Sequence, residues 1–449
     1  MEGEGGQMKR LLEIVGLVAL VVVVATVFVA CGEGETTTTT APPTTAPSST
    51  QTTAGSSTTT ASTSGTTAST GAPTKEDVLR IGAISSATGD MATAFKAMYD
   101  SVGPTQELLN EMGGVTVGDT HYSIEIKFYD DQSTTAGGLT AINKLIGEGV
   151  KYVVPPMFMP INLAIAPLCE ENKIMRIKSF GAGNVEVNPE NPLMFFSCSG
   201  VANIKPFFDY ALAKYPNVKT VAVITPDDPG AATYQQLIKE EYEKRGIKIV
   251  YWEVYPQPTF DFYSILNKAL ATKPDAIDGI FGIPPCTSAI INQSRELGFT
   301  GPIFGPCTLG DANVVNAMVT PEYRYDILSY VPDVNSDKMT EPVKKLGEKI
   351  KAKGASFELD SLHLLDAISA IIAGVKAAQS IDPEAVAAAI DSGKCAGFEG
   401  AYGPAVWGSY VSVYGNKHCA EHASMVTTYT KEGLQFEWLP WDGKAHDKQ

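Results

Sequence analysis

The sequence predicts an α/β fold in two lobes, on three observations. Short apolar runs alternate with amphipathic stretches from Val78 onward. The alternation forms two series, one ending near Ile177 and one running from Thr220 to Phe304. The chain from Asp77 to Gln449 is long enough for two cores. Strands alternating with helices imply right-handed βαβ units, so each lobe is expected to be a parallel sheet flanked by helices.

The elements follow in order. Val78 to Ile84 reads as a strand and the Gly89 region as a loop. Ala94 to Met112 reads as a helix stopped by Gly113-Gly114. Tyr122 to Tyr129 alternates as a strand ending at Asp130-Asp131, whose side chains are expected to form the turn and to cap a helix over Ala136 to Glu148. Tyr152 to Val154 is a short buried strand closed by Pro155-Pro156, Leu163 to Asn172 a helix, and Ile174 to Ile177 a strand. The second series places strands at Thr220 to Thr225, Lys248 to Val254, Ala276 to Phe281 and Pro302 to Phe304. Its helices are Ala232 to Arg245, Tyr263 to Leu270 and Ser288 to Leu297. Ligands of such sheets bind in the crevice beyond the strand C-termini. The loops after Ile84, Tyr129, Val154, Ile177, Thr225, Phe281 and Phe304 are therefore the ones to watch.

Ahead of this body stands a targeting device. Lys9 and Arg10 give a positive start, Val15 to Ala30 an apolar run, and small Ala30 precedes Cys31. Phe28-Val29-Ala30-Cys31 resembles a bacterial lipobox, which implies a lipidated Cys31 at the mature N-terminus, with residues 1–31 as the signal peptide; the acidic stretch before Met8 is unlike a signal peptide, so translation is expected to start at Met8. The alternative is an uncleaved membrane anchor. Either way the remainder is expected outside the cytoplasm and tethered to a membrane, in the periplasm if the cell has an outer membrane. Residues 32–76 are Thr-, Ser-, Ala-, Pro- and Gly-rich and read as a disordered spacer, because they carry too little apolar bulk to offset the entropy of ordering. No later apolar stretch reads as long enough to span a bilayer. The net charge of −16 argues against a nucleic-acid partner.

Of seven cysteines, setting aside Cys31 leaves six, an even number in an exported chain. Of the 15 pairings that six cysteines allow, the one taken is Cys395 with Cys419 across a C-terminal hairpin, Cys286 with Cys307, and Cys169 with Cys198. His418-Cys419 with His422 could suggest a metal site, but a disulfide cysteine beside two surface histidines is preferred. No metal or cofactor is expected. There is no P-loop and no G-x-S-x-G nucleophile elbow, and Gly181-Ala182-Gly183 lacks the last glycine of a dinucleotide fingerprint.

One family resemblance runs through the body. Arg80-Ile81-Gly82-Ala83-Ile84, Thr88-Gly89, Leu109 to Val115 and Tyr129-Asp130-Asp131 resemble the opening of type I periplasmic binding proteins, in the leucine/isoleucine/valine-binding branch that serves ABC importers. The likeness continues in Gly149 to Val154, Val221 to Ile224 with Asp227-Asp228, Phe260-Asp261-Phe262, Lys273 to Ala276 and Arg295 to Phe299. The resemblance implies two lobes joined by three hinge crossovers. One lobe takes residues 78–199 with about 332–402, the other 200–331 with about 403–440. It also implies a small-molecule ligand closed between the lobes and delivered to ABC permease subunits. A sensor of the same fold is the alternative role. An esterase or amidase would need a nucleophile beside a base, which the sequence does not offer.

The chain departs from the family where an amino acid would be read. The serine-rich loop falls on Met157-Phe158-Met159-Pro160 and the alanine-threonine loop on Gly181-Ala182. The tyrosines fall near Pro229 and Pro284, and the acidic residue that meets the ammonium falls near Cys307. A zwitterion closed in without such partners would carry a large desolvation cost. The expectation is therefore a mostly apolar ligand, a carboxylate or amide, with branched-chain amino acids as the alternative. The candidate ligand-binding residues are Met157, Phe158 and Met159 as an adaptable wall, Lys178 as a charge, Gly181 and Ala182 as N–H donors, and Asp228, Pro284 and Cys307. Helix capping is the plainer role for Asp228.

Overall fold

The computed structural model describes residues 73–279, 282–305 and 312–447. Cys31 and Cys307 lie outside them. The first sheet contains β1 (Lys75–Ser85), β2 (Val115–Val117), β3 (Thr120–Asp130), β4 (Tyr152–Val154), β5 (Met175–Lys178) and β6 (Met194–Phe196), in the order β2-β3-β1-β4-β5-β6. All its pairings are parallel except β2 with β3. Helices α1 (Ala92–Glu111), α2 (Thr135–Gly147) and α3 (Met159–Glu171) make its crossovers.

The second sheet contains β7 (Thr220–Pro226), β8 (Lys248–Tyr255), β9 (Ala276–Asp278), β10 (Ile303–Phe304) and β11 (Ile327–Ser329), joined in parallel. Its helices are α4 (Ile204–Lys214), α5 (Pro229–Lys244), α6 (Tyr263–Ala271), α7 (Pro284–Glu296) and α8 (Ala312–Met318). The chain then returns to the first lobe. There α9 (Glu341–Ala352) and α10 (Leu362–Ala378) pack on α1, and α11 (Pro383–Asp391) packs on α10. A small antiparallel sheet follows, β12 (Gly397–Gly400), β13 (Gly403–Trp407) and β14 (Ala420–His422). Finally β15 (Met425–Thr430) and β16 (Gly433–Trp438) extend the second sheet antiparallel to β11.

The two-lobed α/β class is as the sequence predicts, with antiparallel margins that the βαβ alternation did not announce. Three connections pass between the lobes: after β6, after β11, and from β14 into β15. Both faces of the first sheet are covered. Ile81, Ala83, Tyr152 and Val154 enter one core, and Ile84 and Val153 the opposite one. That is why these strands read as continuous apolar runs rather than alternating ones. Gly82 sits where a Cβ would come within 2.6 Å of Leu145 Cδ1, so its lack of a side chain lets α2 lie close on β1.

Several local expectations are corrected. Helix α3 starts at Met159 and α7 at Pro284, earlier than read, because proline fits the first helical turn. The cap of α2 is Thr134, whose side chain accepts from Gly137 N–H. Asp130 and Asp131 keep the other half of their expected role, as turn formers: Asp130 accepts from the N–H groups of Ala87, Thr88 and Gln132, and Asp131 from Ser86 and Ser133. The segment Leu359–Ala378 is apolar and long enough to cross a membrane by length and composition, but it is mostly buried as the core helix of the first lobe.

Two of the three disulfide expectations fail; the third, Cys286 with Cys307, has one member outside the described residues. Cys169, Cys286, Cys395 and Cys419 are free, buried thiols, so neither Cys395–Cys419 nor Cys169–Cys198 forms. The reason is packing: Cys395 and Cys198 belong to one core, Cys419 to a second and Cys169 to a third. Cys286, the described member of the remaining pair, packs in the core of the second lobe. The histidines beside Cys419 are buried rather than on the surface. His418 stacks on Phe195 with centroids 3.9 Å apart and reaches Asp391, while His422 reaches Cys198 Sγ at 2.8 Å. Among the described residues no group of three or more such side chains is placed to hold a metal ion.

Candidate interlobe binding site

A cavity of ≈ 540 Å³ opens where the strand C-termini of both sheets meet, a size suited to a small organic molecule. The loops after β1, β4, β5, β7 and β9 line it, together with the connection after β11 and the turn before α10. Eight of the nine sequence-predicted residues lie on its wall: Met157, Phe158, Met159, Lys178, Gly181, Ala182, Asp228 and Pro284. Cys307, the ninth, is outside the described residues.

The wall is predominantly apolar. Phe95 comes from α1, Met157 and Phe158 from the loop after β4, and Phe180 from the loop after β5. Ile283 and Pro284 come from the start of α7, and Met318 from the end of α8. Phe158 leads into α3 with extended backbone, and Met159 is the first residue of the helix, so the run is presented by a strand end followed at once by a helix start. The lobes also touch. Asn184 N–H donates to Thr233 Oγ1 at 3.3 Å, and Thr233 Oγ1–H donates to Asn184 Oδ1 at 3.0 Å.

Three of the expected polar roles are spent within the protein. Lys178 Nζ lies 2.8 and 3.1 Å from the two oxygens of Glu186, and both side chains are almost wholly buried. Glu186 also accepts from Asn162 Nδ2–H, whose Oδ1 accepts from Arg176, itself paired with Glu170. Asp228 caps α5 by accepting from the N–H groups of Gly230 and Ala231. Gly181 N–H donates to Cys198 O at 3.3 Å, so it does not stand ready for a ligand carboxylate.

Sequence reasoning missed the polar residues at the floor. Tyr330, Cys198, Tyr402, Asp360 and His363 line the cavity, and all are buried. His422 stacks on Tyr402 at 4.9 Å, and burial pushes its imidazole down to about 4. It is therefore neutral: Nδ1–H donates to Ala423 O and Nε2 accepts from Cys198 S–H. Behind Tyr402, burial pushes the Asp366 carboxyl up to about 6, against hydrogen bonds from Ser197 Oγ–H, Ala401 N–H and Ser179 Oγ–H. These groups converge from β5, β6, α10 and the third sheet. Of these groups only Ser179, in the loop after β5, lies where the strand pattern pointed.

A two-lobed α/β chain with an apolar cavity between the strand C-termini of its two sheets has the arrangement of a ligand-binding protein. The sequence matches the family described as periplasmic binding protein over residues 78–433, and the chain belongs to that family. It is 22% identical over 318 residues to a leucine-, isoleucine-, valine-, threonine- and alanine-binding protein of Pseudomonas aeruginosa, covering 70% of this chain and 82% of that one. A Leu/Ile/Val-binding protein homolog of Brucella melitensis is 22% identical over 324 residues, covering 70% and 84%. Among solved structures, a leucine-binding protein from Thermotoga maritima superposes with a TM-score of 0.61 at 22% identity, covering 80% of this chain and 98% of that one. A solute-binding protein from R. palustris in complex with benzoate gives 0.63 at 18% identity, covering 82% and 98%. These relatives and this fold belong to solute-binding proteins of the ABC transporter type, not to enzymes, and the family is extracytoplasmic.

Proposed function

We propose that this protein captures a small, mostly apolar organic molecule with one polar head, a carboxylate or an amide, and hands it to the permease of an ABC importer. The observation that carries this reading is the cavity wall. By the family resemblance Met157, Phe158 and Met159 stand where an amino-acid binder carries a serine-rich loop, Phe180 lines the same wall, and the lysine on that wall is already paired with Glu186. An α-amino acid closed in there would leave its carboxylate poorly compensated, at a cost of several kcal/mol. Lobe closure about the three connections is the motion such proteins use. We further infer that a lipid on Cys31 holds the chain at the membrane. Recovery of the full chain in the soluble fraction of cells would remove that part of the reading.

Branched-chain amino acid binding is the second reading, favoured by the printed names of the Pseudomonas and Brucella relatives. A thermal-shift screen of the full chain separates the two. A ligand at about a hundred times its dissociation constant adds about 2.7 kcal/mol and moves the midpoint visibly. Stabilisation by apolar acids or amides, with leucine, isoleucine and valine silent, is expected. Stabilisation by leucine or valine would overturn the apolar-ligand reading and leave the binding-protein role standing.

A further inference from the structure

The polar groups around the cavity are unevenly spent, and the remainder points to the ligand's head. Lys178 is committed to Glu186, and Asp228 to α5. Glu358 is committed to the turn Leu359–Ser361 through a reciprocal capping box, so the positive end of the helical segment leading into α10 is already met by a carboxylate. Apart from the exposed Asp90, the charged or imidazole groups that remain on that wall are Asp360 and His363, three residues apart and each more than nine-tenths buried. Asp360 Oδ2 accepts from Met98 N–H at 2.9 Å, which fixes the carboxylate against α1. Its Oδ1 lies 2.6 Å from His363 Nδ1.

That contact sets the tautomer. A carboxylate oxygen so close cannot face a ring lone pair, so Nδ1 carries the proton. Both atoms are closed off, and neither has a well-directed hydrogen bond among the described residues. The ring nitrogen left to the cavity is Nε2, which in the neutral imidazole is an acceptor. Charge argues the same way. Asp90, Glu358 and Asp360 line the cavity beside His363, and Asp366 lies one turn further along α10. A carboxylate head would add an anion to this wall of carboxylates. A head that offers an N–H does not.

Taking as given that the cavity receives a small apolar ligand, we propose that His363, held by Asp360, reads the ligand's head, and that this head is an N–H donor, a carboxamide or an amine, rather than a carboxylate. The aromatic faces of Phe95, Phe180 and Tyr402 on the same cavity suit the apolar body of such a ligand.

The test is a matched set of probes on the full chain, read as thermal-midpoint shifts: benzamide, benzylamine, benzoate and N,N-dimethylbenzamide. Benzamide or benzylamine is expected to raise the midpoint, and benzoate and the dimethyl amide to leave it in place. His363→Leu is expected to erase the shift, and His363→Gln, which keeps a carbonyl acceptor, to restore part of it. If His363→Leu does not fold, the wild-type ordering and the Gln variant still decide. A benzoate shift equal to or larger than that of benzamide, or full binding by a folded His363→Leu, overturns this inference and leaves the apolar-ligand reading intact. Silence across the set at millimolar concentration, with leucine or valine active, overturns both.

Discussion

The ammonium of Lys178 is buried against a carboxylate that is itself buried, and this pair shows what a charged residue does in the wall of an apolar cavity. Glu186 receives Lys178 and the amide of Asn162. Removing the lysine alone leaves an anion enclosed with a single neutral donor, which costs about 3–5 kcal/mol. Replacing both partners by apolar side chains of similar volume removes the uncompensated charge. Lys178→Met is therefore expected to lower the urea-unfolding free energy by about 3–5 kcal/mol, and Lys178→Met with Glu186→Leu to recover most of that loss. A double variant no more stable than the single one would mean that the lysine acts through something other than Glu186. The contrast with His363 explains what the sequence could and could not disclose. Lys178 ends a strand, and strand ends face the crevice, so its position was legible while its partner was not. Glu186 lies eight residues on with no periodic relation to it. His363 follows Asp360 at the start of a buried apolar helix, a pattern any core helix start could show. Its approach to the cavity depends on the chain returning from the second lobe to the first.

At the scale of elements, the two lobes meet where the loop after β5 faces the first turn of α5. A Cβ built on Gly230 would lie 2.3 Å from Met159 Cε, and one on Gly183 would lie 3.3 Å from Gly230 Cα. The glycines allow the loop, the start of α3 and the start of α5 to come together beside the Asn184–Thr233 hydrogen bonds. Gly230→Val is expected to hold these elements apart. The cost falls on this arrangement of the lobes, at about 1–3 kcal/mol, so affinity for whichever panel compound binds should weaken on the order of tenfold or more. The unliganded unfolding midpoint should move far less. Isothermal titration alongside thermal unfolding checks both, and an unchanged affinity would show that closure does not bring these elements into contact. The helix starts at Pro229 and Pro284 were readable in principle, since proline fits the first turn. The glycine contacts were not, because they join residues 47 apart (183 and 230) in different lobes.

For the whole molecule, the alternation of strand and helix was enough to give two α/β lobes, because each βαβ unit is local. The antiparallel margins and the fate of the cysteines were not legible, since both follow from long-range returns of the chain. A second consequence of the packing bears on global stability. The Asp278 carboxyl, at the end of β9, is fully buried, and burial pushes it up to about 8 against a hydrogen bond from Tyr242 O–H at 2.6 Å. Its Oδ1 has no partner among the described residues. In the unfolded chain an aspartate titrates near about 4. Between these values the unfolded state has released a proton that the folded state retains, so stability falls as pH rises. The contribution is complete below about pH 4 and is lost as the pH climbs through about 8. Asp366, raised to about 6, adds the same sign over the lower part of that window only. The difference in unfolding free energy between wild type and Asp278→Asn isolates the first group. The asparagine variant is expected to gain on the wild type between pH 6 and 8, on the order of 1 kcal/mol per pH unit, with Asp366, common to both proteins, cancelling in the difference. A constant difference across that range would show that Asp278 is ionised in the folded protein at neutral pH, with its charge compensated by a group other than Tyr242.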